Sequence, residues 1–162
     1  MSRVYSYLEI FYILCLAFVF SGVLVLGSIV APVVFHSSEF ITNVTLDRFQ
    51  NGQLMAEIFS RFATILNFVV LFIVAIEALN YKRFLQSGLY MVFFAIFVVS
   101  SFIFSFYFTS IILELIAKGE NVINQNIEAF ETLHKLSEYD FMVVMFSALA
   151  MFLVKLNNFS KH

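Results

Sequence analysis

Long segments of uncharged, apolar residues recur four times along the chain, with short polar segments between them. They cover residues 11–35, 58–76, 89–113 and 141–154. A helix rises about 1.5 Å per residue, so about 20 apolar residues cross the roughly 30 Å hydrocarbon core of a bilayer. The pattern therefore predicts four membrane-spanning helices.

Two of these segments need additional length from the residues before them, because Arg61 interrupts the second and the fourth is short. Before the fourth segment, Ile127, Phe130 and Leu133 recur at helical spacing, while charged residues occupy another face. We therefore expect the second, third and fourth helices to extend beyond the membrane on its outer side. The predicted spans cover about residues 8–35, 55–79, 88–115 and 130–156, and one helix is expected over residues 126–157.

Two residues mark expected helix ends. Pro32 lacks a backbone N–H, so it is predicted to bend or end the first helix. Gly119 follows the basic residue Lys118 and is predicted to stop the third helix.

Composition supports this assignment to the membrane. The chain of 162 residues is 62% hydrophobic and 12% charged, whereas soluble domains are about 45–50% apolar and about 25% charged. Nine Lys and Arg residues stand against eleven Asp and Glu residues, which argues against a nucleic-acid binder, and a single cysteine excludes a disulfide scaffold. We predict an all-α integral membrane four-helix bundle that forms one domain over residues 1–162.

The positions of the basic residues predict the orientation, because Lys and Arg in short loops favour the cytoplasm. Five basic residues fall on one side, including the adjacent pair Lys82 and Arg83. The others on that side are Arg3, Lys155 and Lys161, and the opposite side carries Arg48, Arg61, Lys118 and Lys135. Both termini are therefore expected in the cytoplasm of a bacterial-type cell, with the protein in the inner membrane. The first apolar segment is too long for a cleaved signal, and Glu9 stands where a signal carries basic residues.

A polar stripe marks the second predicted helix. Glu57, Ser60, Thr64 and Asn67 share one helical face, and Arg61 flanks it. Polar groups at membrane depth are expected to face the bundle, where they can be paired or bind a ligand. The alternative is an interfacial ion pair between Glu57 and Arg61, with Asn67 in a packing hydrogen bond. At the other membrane edge, Glu77 and Lys155 are expected to reach water as ordinary interface anchors.

Two histidines fall on the same predicted side of the membrane. His36 follows the first span, and His134 lies in the extension of the fourth, one turn before Ser137. Neutral imidazole is a common ligand for metal ions and haem iron. The pair is therefore a candidate metal or haem site, and the alternative is two unrelated interfacial residues. No motif for hydrolysis or nucleotide binding is present, so an enzyme is the less favoured interpretation.

Three short stretches carry a resemblance to a known membrane family. They begin at Gly27 (GSIVAPVVF), Gly52 (GQLMAEIFSRF) and Phe130 (FETLHKLS). On these stretches the chain resembles the transmembrane protein 205-like family, also called domain of unknown function 4149.

The resemblance implies a four-helix integral membrane protein and leaves its activity open. The positions that carry the family pattern are Gly27, Pro32, Phe35, Gly52, Phe59, Leu133, His134 and Ser137. The chain departs from the pattern one turn after Ser137, where Phe141 stands in place of an Asn, with Asp140 beside it.

The residues leave three functions open. The first is binding or passage of a small solute or metal ion at an outward-facing vestibule lined by His36, Glu57, Ser60, Arg61, Thr64, Asn67, His134 and Ser137. In that vestibule the histidines would be ligands, Glu57 would neutralise charge or accept a proton, and Asn67 would be the deepest polar contact. The second is a non-catalytic interaction protein whose amphipathic segments, about residues 45–56 and 126–140, dock a partner or lie on the membrane surface. The third is a haem-binding oxidoreductase. The expected partners are the lipid bilayer and a second copy or another membrane protein, without nucleic acid.

Overall fold

The computed structural model of the chain describes residues 3–40, 46–81 and 88–159, and every regular element within these ranges is helical. Four helices are long and apolar enough to cross a membrane: Tyr7–Phe35, Arg48–Leu79, Gly88–Ala117 and Ile127–Asn157. We call them the first to fourth spanning helices. Short helices Ser37–Phe40 and Glu120–Gln125 stand at the chain reversals. The predicted all-helical, four-span architecture is confirmed.

The first spanning helix changes geometry just before Pro32. Its α-helix Arg3–Val25 passes into a π-helical turn, Leu26–Val30, and then into Ala31–Phe35. The Ala31 N–H donates to the Leu26 carbonyl, five residues back. Such a wide turn gives room for the proline ring, which would collide with the preceding turn of a regular helix. The helix continues through Pro32 and ends three residues later at Phe35, so the proline lies in its last turn and does not itself end it.

The third spanning helix carries a second π-helical segment. It consists of Gly88–Phe102, the π-helix Ile103–Phe108 and Thr109–Ala117. The Thr109 hydroxyl and its N–H both bond to the Phe104 carbonyl, which satisfies the acceptor at the widened turn. Gly119 follows with φ 95°, a backbone conformation that favours glycine. The predicted end of this helix is confirmed.

The second and fourth spanning helices are the longest elements, Arg48–Tyr81 and Ile127–Phe159. Both begin well before their most apolar segments, as predicted. The second is capped by Asp47, whose carboxylate accepts from the Gln50 N–H at 2.7 Å, while Gln50 Oε1 accepts from the Asp47 N–H at 3.1 Å. This reciprocal pair satisfies donors that a helix start otherwise leaves free.

The fourth spanning helix packs extensively against the first and third, and the second packs against the third and against the end of the first. Between the two ends of the bundle the core is mainly apolar, and it also contains buried Ser100, Ser101, Ser105 and Ser147. Its completely buried side chains are Leu16, Val19, Leu66, Val70, Ile73, Phe97, Val144, Ala148 and Met151. Large apolar side chains such as Phe68 and Phe146 point outward, as expected of a surface that contacts lipid.

Candidate functional site

An interhelical cavity of about 740 Å³ opens between the second, third and fourth spanning helices and the short helix Glu120–Gln125, and Phe35 at the end of the first spanning helix also lines it. We call it the cavity. Its volume lies within the range of about 300–1,000 Å³ that is typical of small-molecule sites. Its apolar floor consists of buried Met55, Ala56, Phe104 and Phe108 with half-buried Phe59 beside them, and buried Ile123 of the short helix Glu120–Gln125 lines it at the chain reversal.

Charged and polar side chains line the outer part of the cavity. Arg48 of the second helix and Glu131 of the fourth form an ion pair of 3.0 Å across its mouth. His134 Nε2 lies 3.3 Å from Glu138, and its ring stacks on Phe130. The remaining charged lining residues, Glu120 and Lys135, are exposed. The cavity therefore combines an apolar floor with a charged mouth.

Two hydroxyl groups lie on the cavity wall below this mouth. Thr109 and Ser137 are both buried, and each donates its hydroxyl proton to a carbonyl of its own helix. The lone pairs of these oxygens are therefore the groups that can accept a hydrogen bond from a ligand.

The structure places only two of the eight predicted vestibule residues, His134 and Ser137, on the cavity wall. His36 lies elsewhere: it is exposed at the end of the first spanning helix, where its Nδ1 is 2.9 Å from the Pro32 carbonyl oxygen. The two histidines thus have different neighbours. Within residues 3–40, 46–81 and 88–159, no three His, Cys, Asp or Glu side chains gather where they could hold a metal ion.

The predicted inward orientation of the stripe on the second helix is wrong for Glu57, Arg61 and Thr64. Glu57 and Arg61 are exposed and form an ion pair of 2.8 Å with each other. Thr64 is exposed and donates to the Ser60 carbonyl. The reason is that the inward face of this helix between Met55 and Ile73 is apolar. Glu57, Arg61 and Thr64 lie on a different face of the helix. The buried side chains of the inward face are Met55, Ala56, Phe62, Ala63, Leu66, Val70 and Ile73, and the buried polar residues Asn51 and Glu77 lie nearer the two ends of the helix.

Ser60 and Asn67 differ from the other residues of the stripe, since both are half-buried. The Oδ1 atom of Asn67 is buried and has no hydrogen-bond partner among the described residues. Neither Ser60 nor Asn67 lines the cavity, so the structure separates both from His134 and Ser137.

A second polar feature lies at the opposite end of the bundle and consists of Tyr12, Glu77, Tyr90 and Lys155. We call it the ion-pair cluster. Lys155 Nζ is 2.9 Å from Glu77 Oε1, and the two side chains are only 12% and 2% exposed. Tyr90 donates its hydroxyl proton to Glu77 at 2.8 Å, and its oxygen is hydrogen-bonded to the Tyr12 hydroxyl. The ammonium group of Lys155 also lies 4.7 Å and 5.1 Å from the ring centres of Tyr12 and Tyr90.

Each of the four spanning helices contributes one residue to the ion-pair cluster. The prediction that Glu77 and Lys155 are separate anchors reaching water is therefore wrong, because both are buried and paired. Charges removed from water require a close opposite charge and further hydrogen bonds, and the two tyrosines supply them. Sequence reasoning missed Tyr12 and Tyr90, although a tyrosine in an apolar segment carries a hydroxyl that needs a partner when buried.

A family model described as "Domain of unknown function (DUF4149)" matches residues 14–121. The match includes Glu77 and Tyr90 of the ion-pair cluster and the cavity residues of the second and third helices. Comparisons with curated proteins and with solved structures return no match. The family match covers most of the chain, and the chain belongs to the DUF4149 family.

Proposed function

We propose that this membrane protein binds a small molecule with an apolar body and a polar end in the cavity. The observation that carries the proposal is the division of the cavity into a buried apolar floor and a charged mouth. Ligand sites in proteins commonly combine apolar walls with a few polar groups that fix the orientation of the ligand.

Different lining residues would contact the apolar body and the polar end of the ligand. Phe59, Phe104 and Phe108 present aromatic surface to the apolar body. His134 and the oxygens of Thr109 and Ser137 are available to polar groups farther out. The Arg48–Glu131 ion pair crosses the mouth and offers both signs of charge to the polar end of the ligand.

The cavity also accounts for the amphipathic segments that the sequence suggested as docking surfaces. Phe49 and Met55 from the first segment and Ile127 and Phe130 from the second all line the cavity. These apolar positions line one common cavity within one chain. Their arrangement favours a binding cavity over a surface for an external partner.

Gly52 allows the proposal to be tested without disturbing the backbone. It lines the cavity, and a Cβ atom built on it meets nothing within 4 Å. Gly52→Leu should therefore fill cavity space. Gly27→Leu is the matched control, because Gly27 is equally open but does not line the cavity.

The probe is radiolabelled palmitate, which has an apolar chain and a carboxylate end. We expect saturable binding to purified protein in phosphatidylcholine nanodiscs, a loss of that binding in Gly52→Leu, and wild-type binding in Gly27→Leu. Equal binding by all three proteins would place palmitate on the general lipid-facing surface and would contradict the proposal.

The cavity is proposed to open on the outer side of a bacterial inner membrane, with both termini in the cytoplasm. Support comes from the basic pair Lys82 and Arg83, which lies outside the described residues, as does Lys161. Fusion of alkaline phosphatase after residue 162 should give an inactive enzyme, and insertion within residues 41–45 an active one. The reverse pattern would overturn this orientation.

A further inference from the structure

We propose that the ion-pair cluster is a gate that closes the bundle at the end opposite the cavity. While the pair holds, the cluster end of the bundle is closed to water. The closure rests on the contacts of the cluster itself, and its importance for one-sided access rests on the proposed function.

The cavity and the ion-pair cluster lie at opposite ends of the same helices. On the second helix the cavity wall ends at Phe59, and Glu77 lies about 27 Å farther along at 1.5 Å per residue. On the third helix Tyr90 lies near the start, and the wall begins at Phe104. The fourth helix runs the other way and ends near Lys155.

The space between the two ends is filled. Below the cavity, the ring of Phe141 packs against Phe59, Phe62 and Phe104, with centres 5.3, 5.6 and 4.5 Å away. Completely buried aliphatic side chains follow, among them Leu66 and Val144. A molecule in the cavity therefore meets first an aromatic floor and then a mainly apolar core, in which Ser101 and Ser147 are buried, before it reaches the cluster.

The chemistry of the cluster favours a gate over a permanent fastening. Apolar side chains of similar volume would hold four helices together at least as well as a buried ion pair does. A charged seal differs from an apolar one in its open state, because water can hydrate Glu77 and Lys155 once they separate. Hydration lowers the free energy of the open state, whereas opening an apolar seal only exposes hydrocarbon to water.

The third helix supplies an element that can couple the two ends. Its π-helical segment Ile103–Phe108 lies between Tyr90 and the outer part of the cavity, and it carries the floor residues Phe104 and Phe108. Segments of this kind within α-helices occur frequently at functional sites. A shift of this segment would move floor residues on the same helix that supplies Tyr90 to the cluster.

The single cysteine of the chain reports on the gate. Cys15 is free and 8% exposed, and it lies one helical turn deeper in the bundle than Tyr12. Opening of the cluster end should admit a small, membrane-impermeant, cationic methanethiosulfonate reagent to its thiol. The modification rate in phosphatidylcholine nanodiscs therefore measures how often the gate is open.

We expect slow modification of Cys15 in the wild type and an increase of roughly tenfold or more in Lys155→Met and in Glu77→Gln, because each removes one charge of the ion pair that closes this end. Arg61→Met is the matched control, since it breaks an exposed ion pair on the second helix. Its rate should equal that of the wild type.

Tyr90→Phe keeps the experiment decisive if the charge variants do not fold. Tyr90 is 1% exposed, and this substitution removes only the hydroxyl that holds Glu77. We expect a smaller increase, several-fold above the wild type. A wild-type rate in Tyr90→Phe, with unchanged helix content and a monodisperse elution profile, would overturn the gate, as would an equal acceleration in Arg61→Met. Palmitate binding tests the cavity and Cys15 modification tests the gate, so the failure of one proposal can be distinguished from the failure of the other.

Discussion

At the scale of the residue, two acidic side chains of the second spanning helix have opposite surroundings. Glu57 pairs with Arg61 at the exposed surface, where their side chains are 58% and 79% exposed. Glu77 pairs with Lys155 in the interior and accepts a second hydrogen bond from Tyr90. An exposed pair typically contributes about 0–1 kcal/mol, whereas removal of one partner from a buried pair leaves an uncompensated charge.

The first prediction concerns these two carboxylates. Glu77→Gln should lower the free energy of unfolding by about 3–5 kcal/mol, because Lys155 loses its counter-charge in the interior. Glu57→Gln should lower it by less than about 1 kcal/mol. Both values can be measured by denaturation with sodium dodecyl sulfate in mixed micelles. Equal effects of the two substitutions would contradict the difference in burial that we describe.

At the scale of the element, helix ends and close helix contacts are determined by local chemistry. The Asp47–Gln50 pair caps the second spanning helix, and Gly119 marks the end of the third. Gly22 brings the first helix against the second: a Cβ atom built on it would lie 2.7 Å from Cε2 of Phe62. The Phe62 ring is itself packed against Phe141, so it has little freedom to move.

The cap yields the second prediction. Asp47→Ala removes the acceptor of the Gln50 N–H and should lower stability by about 1 kcal/mol. Hydrogen exchange should rise in the first turn after Asp47 and stay unchanged near Ile73 in the core. Unchanged exchange in the first turn would show that this capping pair does not hold the helix start.

The third prediction concerns the close contact at Gly22. Gly22→Ala should destabilise the bundle by about 1–3 kcal/mol, because the added methyl group meets the Phe62 ring. Gly27→Ala is the control, since nothing lies within 4 Å of its added Cβ and alanine favours helix. Unfolding measured in the same micelles should separate the two. A stabilising Gly22→Ala would mean that the helices do not approach as closely as described.

The same physics explains which elements the sequence allowed us to predict. Length and apolarity identify a spanning helix, and Gly119 marks an end, because both signals are local. The inward face is not local in a membrane protein, since lipid-facing and core-facing side chains are both apolar. The inward orientation predicted for Glu57 and Arg61 is therefore wrong, whereas the alternative of an ion pair between them is confirmed. The partnership of Tyr12 with Tyr90 depends on the packing of all four helices, which no single segment encodes.

At the scale of the whole molecule, the bundle has two different ends joined by an apolar core. One end holds the cavity with its Arg48–Glu131 mouth, and the other holds the ion-pair cluster. Of the predicted vestibule, His134 and Ser137 belong to the cavity. The membership of the DUF4149 family was foreseen from short motifs, and the narrower likeness to transmembrane protein 205 stays a prediction. A shared metal or haem site at His36 and His134 likewise stays a prediction.

The central claim is that the cavity holds the apolar part of a small molecule, and mapping a bound probe tests it most directly. A palmitate analogue with a diazirine at the end of its chain would be photolysed with the protein in nanodiscs, and the labelled residues identified by tandem mass spectrometry. We predict labels at cavity residues Met55, Phe59, Phe104 and Phe108, removed by excess palmitate. Labels confined to outward-facing residues such as Phe68 and Phe146 would contradict the account.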